Sequence, residues 1–210
     1  MPIGLNELVR PTNTALVTME VQSGTIGDYS PFPELVQAAR RANLIQNISE
    51  LLQAGRTAKL PVVHCTASFR GDLRGSSANA PLLRAMTRRP DHILEGTDGS
   101  KICGELFEET YDIVCNRHHG VSPFTGTNLD ATLRHCEVST IIATGVSVNV
   151  AILGLVIEAV NLGYNVVLPL DCIAGFPDDY VEAVTHNTLS LLAITTRRAE
   201  LRDLLNSFIV

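Results

Sequence analysis

Short β-branched apolar runs alternate along the chain with longer stretches whose apolar residues recur every three or four positions. Thr14-Ala15-Leu16-Val17-Thr18-Met19 predicts a first strand, preceded by a polar arm over residues 1–13. From Glu34 to about Ala58, residues Leu35, Ala38, Ala39, Ala42, Ile45, Ile48, Leu51 and Leu52 keep helical spacing. Pro61-Val62-Val63-His64-Cys65 predicts a second strand and Tyr111-Asp112-Ile113-Val114-Cys115 a third. Between them, residues 68–100 are rich in Gly, Ser, Arg and Asp, with one short helix around Pro81 to Thr87. Irregular stretches of that length often carry function. A helix over Leu129 to His135 leads to a fourth strand, Ser139 to Thr144. A helix from about Asn149 to Leu162 stops at Gly163, the residue type expected just past a C-terminus. Tyr164 to Leu168 is the fifth strand, and Asp178 or Asp179 caps a helix reaching about Leu191. A short strand, Ala193 to Thr196, and a terminal helix complete the pattern.

Strands that alternate with helices predict an α/β fold with a parallel sheet covered on both faces. The expectation is a Rossmann-like three-layer sandwich, its central, mostly parallel sheet having six strands, in one domain spanning residues 1–210. Ligands of open parallel sheets bind beyond the carboxyl ends of the strands. Four strand ends here carry polar chemistry. The first closes in Met19-Glu20-Val21-Gln22, and the third leads into Asn116-Arg117-His118-His119-Gly120. The fourth leads into Gly145-Val146-Ser147-Val148-Asn149 and the fifth into Pro169-Leu170-Asp171. Neither a G-x-G-x-x-G after a strand nor a Walker A loop is present, so no nucleotide cofactor is expected.

Composition narrows the picture further. The chain has 210 residues, 45% hydrophobic, which excludes a disordered polymer. Aromatic residues are only 5%, so the core must be aliphatic. With a net charge of −6 and no basic block, a nucleic acid is not the expected partner. No apolar stretch reaches the ~18 residues of a membrane span, and MPIGLNELVRPTN lacks the apolar run of a signal peptide. The five cysteines, Cys65, Cys103, Cys115, Cys136 and Cys172, are odd in number and form no C-x-x-C, which predicts reduced thiols and a cytoplasmic location.

Glu20 is the sharpest single feature. A carboxyl at the end of a central strand would be desolvated and suited to proton transfer. The alternative is a carboxylate that caps a helix or pairs with an arginine. His118 and His119 are adjacent, so on an extended segment they point to opposite sides and one at most faces a given pocket. His64, inside an apolar strand, reads as a packed histidine, and no spacing supports a metal site. The turn at Gly145 to Asn149 has the strand–turn–helix context of a G-x-S-x-G nucleophile elbow around Ser147, with Asn149 in place of the last glycine. Backbone amides at the start of the Asn149 helix would bind a carbonyl oxygen or carboxylate.

The order of these motifs resembles the isochorismatase-like hydrolases, the family of isochorismatase, nicotinamidase and N-carbamoylsarcosine amidohydrolase. The resemblance runs from about Thr14 to Thr196. It rests on Ser122-Pro123-Phe124-Thr125-Gly126-Thr127-Asn128-Leu129-Asp130, similar to the family's S-A-F-x-x-T-x-L-D. Further support comes from Thr144-Gly145-Val146, from Glu158-Ala159 with Leu162-Gly163-Tyr164, and from Asp171 with Ala174. Cysteine hydrolases of that family use Asp, Lys and Cys. The resemblance puts Glu20 at the aspartate, followed by a matching Gln22, His118 at the lysine, and Ala151 at the cysteine. It also implies a cis peptide at Val146–Ser147. Alanine cannot attack a carbonyl, so a thioester route is closed at that position. Isochorismatases, with glycine at that position, hydrolyse a vinyl ether with the aspartate as acid.

The expected activity is therefore hydrolysis of a small carbonyl or carboxylate compound by acid/base chemistry of Glu20 and His118, without a covalent intermediate and without a metal. Substrate contacts are expected from Gln22, Arg70, Arg117, Phe124, Val146, Ser147 and Asn149, with Arg70 or Arg117 as the charge partner. A non-catalytic binding or assembly member is the competing reading, and a serine hydrolase using Ser147 a third. The resemblance also implies a homo-oligomer, a dimer or tetramer.

Overall fold

The structure, a computed structural model, describes residues 4–104 and 106–209. The first three residues of the predicted arm lie outside the described residues. Its remainder holds a helical turn, α1 (Leu5–Leu8), with Val9 buried against the core. In chain order there follow β1 (Thr14–Met19), α2 (Ser23–Ile26), α3 (Pro33–Arg41), α4 (Leu44–Thr57) and β2 (Val62–Ala67). Next come α5 (Pro81–Thr87), β3 (Ile113–Arg117), α6 (Leu129–His135) and β4 (Thr140–Val146). The last part contains α7 (Leu153–Asn161), β5 (Asn165–Pro169), β6 (Ile173–Ala174), α8 (Asp178–Val184), α9 (Ser190–Leu192), β7 (Ile194–Thr196) and α10 (Arg198–Asn206). No helix among the described residues is long and apolar enough to cross a membrane.

The strands form one parallel sheet in the order β3-β2-β1-β4-β5-β7. Among the described residues it has seven strands rather than the expected six, because two residues at Ile173–Ala174 pair with β4. A strand that short leaves no period in the sequence. The run from Glu34 to Ala58 is also two helices, broken where Asn43 takes a left-handed conformation at φ 50°. Asp178 and Asp179 lie inside the first turn of α8 rather than capping it, since Pro177 holds the cap position. The long helix after β4 opens with one wide π turn, Val148–Ile152, before α7.

Successive strand residues face opposite sides of the sheet, and each side has its own core. Ala15, Val17 and Met19 of β1 pack towards α6 and α7, together with Leu129, Leu133 and Leu155. Leu16, between them in sequence, packs towards Ile48, Leu51 and Leu52 of α4 and Leu201 of α10. Strands buried on both faces are mostly apolar, as in β4 and β5. At Gly145 two strands close on each other: φ is +109° and a Cβ there would stand 2.2 Å from the Met19 carbonyl oxygen. Only glycine fits, and the chain can then turn sharply out of β4.

His64 sits on the α4 side of β2, wholly buried. Its Nδ1 is 2.7 Å from the Thr18 hydroxyl and its Nε2 is 3.0 Å from Asp112 Oδ2. Arg56 of α4 grips the same carboxylate through Nε at 3.0 Å and Nη2 at 2.5 Å. Burial alone would raise the Asp112 pKa, but hydrogen bonds from His64, Arg56 and the Glu108 amide outweigh it and hold it down from 3.8 to about 2. A depressed carboxylate contributes stability above its ordinary pKa, and that contribution is lost as pH falls through the native value. Asp112→Asn should therefore be less stable than the parent at pH 7, and should lose less further stability between about pH 4 and about pH 2. Urea unfolding across that pH range measures both differences.

Candidate functional site

A cavity of about 390 Å³ opens beyond the carboxyl ends of β1 to β4. The chain reverses direction across the sheet there, since β2 and β3 lie on one side of β1 and β4 on the other. That crevice is where an open parallel sheet can admit a ligand. Glu20, the first residue past β1, has φ 52°, a backbone state that costs a non-glycine residue about 1 kcal/mol. Its amide bonds the Cys65 carbonyl at 2.9 Å. Its carboxylate pairs with the Arg117 guanidinium at the end of β3. The Glu20 side chain is 16% exposed and that of Arg117 4%, so the pair lies in the cavity wall largely shielded from water. The arrangement matches the arginine-paired alternative rather than an isolated, desolvated acid. It also takes up the cation that the substrate was expected to meet.

His118 lines the cavity, its Nδ1 3.0 Å from the Ser68 carbonyl oxygen. A carbonyl only accepts, so this bond puts the proton on Nδ1 and leaves Nε2 of the neutral ring as an acceptor. Both His118 and His119 line the cavity, contrary to the expectation of one at most. The reason is local: β3 ends at Arg117, and the two histidines follow in a bend, where strand alternation no longer applies. Glu20 pairs with Arg117 and not with His118.

On the β4 side, Ser147, Asn149, Val150 and Ala151 complete this part of the wall. The Val146–Ser147 peptide is cis. The Ser147 hydroxyl has no histidine partner among the described residues, so nothing there prepares it as a nucleophile. The Oδ1 of Asn149 is buried and has no hydrogen-bond partner among the described residues.

Four residues expected to touch substrate lie elsewhere. Gln22 is fully buried as a tie between segments. Its Nε2 donates to the carbonyls of Ala67 and Ser100 at 2.9 and 2.7 Å, and its Oε1 accepts from the Ala67 amide at 2.8 Å. Arg70 faces solvent, bound through two nitrogens to Asp72 at 3.1 Å. Phe124 stacks on Tyr164 in the core beneath the site, with centroids 5.9 Å apart. Val146 is fully buried in the opposite core. Strand alternation turns Val146 away from Ser147, and the S-P-F motif serves packing: Ser122 and Thr125 both donate to the Glu158 carboxylate.

Residues 68–100 supply the apolar wall, through Phe69, Leu82, Leu83, Met86 and Ile93, with Phe32 and Phe176 from other segments. His92, in the turn Pro90–Ile93, lines the cavity as well and was not anticipated. It lies where hydrophobic periodicity fails, so only its position after Pro90 in the irregular stretch offered a signal. All five cysteines are free thiols, and none lines the cavity. Burial pushes Cys65 and Cys172 far up and Cys103 up to about 11, away from thiolate character. Among the described residues no three His, Cys, Asp or Glu side chains are grouped to hold a metal ion.

Comparison with known proteins gives a consistent set of likenesses. A family model described as Isochorismatase domain matches residues 14–200. Ureidoacrylate amidohydrolase RutB of Rhizobium rhizogenes is 25% identical over 190 residues, covering 84% of this chain and 76% of its own. A cysteine hydrolase from Pseudomonas syringae pv. phaseolicola superposes with a TM-score of 0.80 at 22% identity, over 96% of both chains. N-carbamoylsarcosine amidase from Thermoplasma acidophilum does so at 0.69 and 22% identity, over 89% of this chain and 96% of its own.

Removing one member of a shielded ion pair leaves the other charge uncompensated. Arg117→Met should therefore lower stability by about 3 kcal/mol. Adding Glu20→Gln should restore part of that loss, and a double-mutant cycle by urea unfolding reads the coupling.

Proposed function

The chain belongs to the isochorismatase domain family, and from that premise we propose that it is a hydrolase of small, neutral amide or ureido compounds, acting by direct attack of water. The observation that carries this reading is the polarity of the cavity wall. Among the described residues Arg117 is the one Lys or Arg that lines it, and it is engaged by Glu20. The other polar groups there include acceptors, the Glu20 and Glu34 carboxylates and His118 Nε2, beside the hydroxyls of Thr25, Ser77 and Ser147. A carboxylate ligand would meet no uncommitted cation, whereas a neutral molecule with N–H groups would find partners. The name of the relative from Rhizobium rhizogenes, an amidohydrolase of a ureido compound, supports the same class.

In this mechanism the substrate carbonyl lies against the backbone amides that open the helical run from Val148, which stabilise the developing oxyanion. An attacking water occupies the space a thiol would fill at Ala151. The water donates one hydrogen bond to Glu20 and the other to His118 Nε2. Glu20 takes a proton as the new C–O bond forms, then returns it to the leaving nitrogen as the C–N bond breaks. Arg117 keeps the carboxylate oriented throughout, and His118, held by Ser68, positions the water. No covalent intermediate is needed, which suits an alanine at that position.

Glu20 held by Arg117 also favours a second reading, a non-catalytic binding member, because the acid is already engaged. A panel of primary amides and ureido compounds, assayed for ammonia release, separates the two. Turnover by the parent should fall at least ~100-fold in kcat/KM in Glu20→Gln, with the fold retained by circular dichroism. Turnover that survives this change sinks the assignment of Glu20, and binding without turnover across the panel supports the second reading.

A further inference from the structure

His92 is 7% exposed, and its ring meets the rings of Phe32 and Phe69 edge-on, with centroids 5.9 and 6.1 Å away. All three residues line the cavity. The Nδ1 of His92 is 2.6 Å from the Arg89 carbonyl oxygen, which fixes the proton on Nδ1 and makes Nε2 the acceptor. That Nε2 is buried and has no partner among the described residues. Burial also lowers the proton affinity of the ring below the usual histidine range, which keeps the lone pair available.

The ring is held by backbone packing. A Cβ at Gly24 would stand 1.7 Å from the His92 carbonyl oxygen, and one at Gly99 would stand 2.0 Å from it. Two glycines from separate segments thus admit the backbone of the Pro90–Ile93 turn that carries the ring. A buried acceptor kept in an aromatic setting and left unpaired is destabilising unless something fills its valence. No group among the described residues does, and His92 is one of the residues that line the cavity.

We infer that His92 is a specificity-determining residue, whose Nε2 accepts a hydrogen bond from an N–H or O–H group on the ligand other than the group that reacts. The ligand class is then a compact, largely apolar molecule with a neutral carbonyl and a separate hydrogen-bond donor. This deepens the hydrolase reading and rests on it for the identity of the reacting group.

Two probes that differ in one donor test it, 4-hydroxyphenylacetamide and its 4-methoxy analogue. In protein carrying ¹⁵N-labelled histidine, the His92 Nε2 resonance should move with the hydroxy probe and not with the methoxy probe. The hydroxy probe should bind roughly tenfold tighter. His92→Phe, which keeps an aromatic ring against Phe32 and Phe69, should erase the preference, and His92→Gln, which keeps an acceptor, should retain part of it. Equal affinity for the two probes, an unmoved Nε2 resonance, or failure of both to bind overturns the inference. These are binding measurements that need no turnover. A hydrolase reading lost to the Glu20→Gln assay would leave the acceptor role standing, and loss of the acceptor role would leave that assay unaffected.

Discussion

Glu20 leaves β1 and Arg117 ends β3, and their charges meet across the end of the intervening β2. Strands two places apart in a sheet are separated by about 9.5 Å, a span that two long side chains can cover and two short ones cannot. The backbone of Glu20 is in a left-handed state that a glutamate adopts only when its surroundings insist. Those surroundings are the hydrogen bond from its N–H to the Cys65 carbonyl, the guanidinium ahead of it, and Gln22 two residues on. By taking both the amide and the carbonyl of Ala67, Gln22 fixes how the chain leaves β2 beneath the ion pair. The cavity floor is therefore set by three consecutive strands whose ends are cross-braced by polar side chains.

Around that floor the cavity divides into two kinds of wall. The strand ends contribute charge, imidazole and the turn at Ser147 to Ala151; residues 68–100 contribute mainly apolar surface and His92. The first wall is tied to the sheet, where both cores hold β1, β2 and β4 on either side and β3 packs on one side through Cys115. The second is tied through fewer points, among them Gln22 to Ser100 and the glycine contacts on the His92 carbonyl. A fold built in this way can keep its chemistry while the shape of the ligand it accepts is set by a segment with little regular structure.

Much of the architecture was legible because burial on both faces forces apolar continuity, which a sequence displays openly. Leu129–His135 and Pro81–Thr87 have the predicted bounds. The strand at Ile173–Ala174 is too short to show a period, and the break at Asn43 lies inside an unbroken helical pattern. At the site, Glu20, Arg117, His118, Ser147 and Asn149 could be nominated because they follow strands and Ala151 from the family resemblance, and all six line the cavity. Gln22, Arg70, Phe124 and Val146 do not. Lying near a strand end does not by itself place a side chain in the cavity, and a nearer partner can claim it, as Asp72 claims Arg70. His92 was hidden for the opposite reason. Its place depends on Gly24 and Gly99, far away in the chain, and no local pattern encodes that encounter.

Thr18, His64 and Asp112 form a hydroxyl–imidazole–carboxylate chain with hydrogen-bond distances of 2.7 and 3.0 Å. Those are the groups and spacings by which hydrolytic triads are recognised, apart from the exchange of the two ring nitrogens. Yet Thr18 and His64 are sealed between the sheet and α4, and Arg56 holds the carboxylate from the other side. No substrate can approach the hydroxyl, and the imidazole has no route by which to hand on a proton. A search by catalytic geometry alone would single out this inert brace, and would pass over the paired acid beyond the end of β1. In this fold access to the cavity, more than the arrangement of groups, separates a reactive constellation from a structural one.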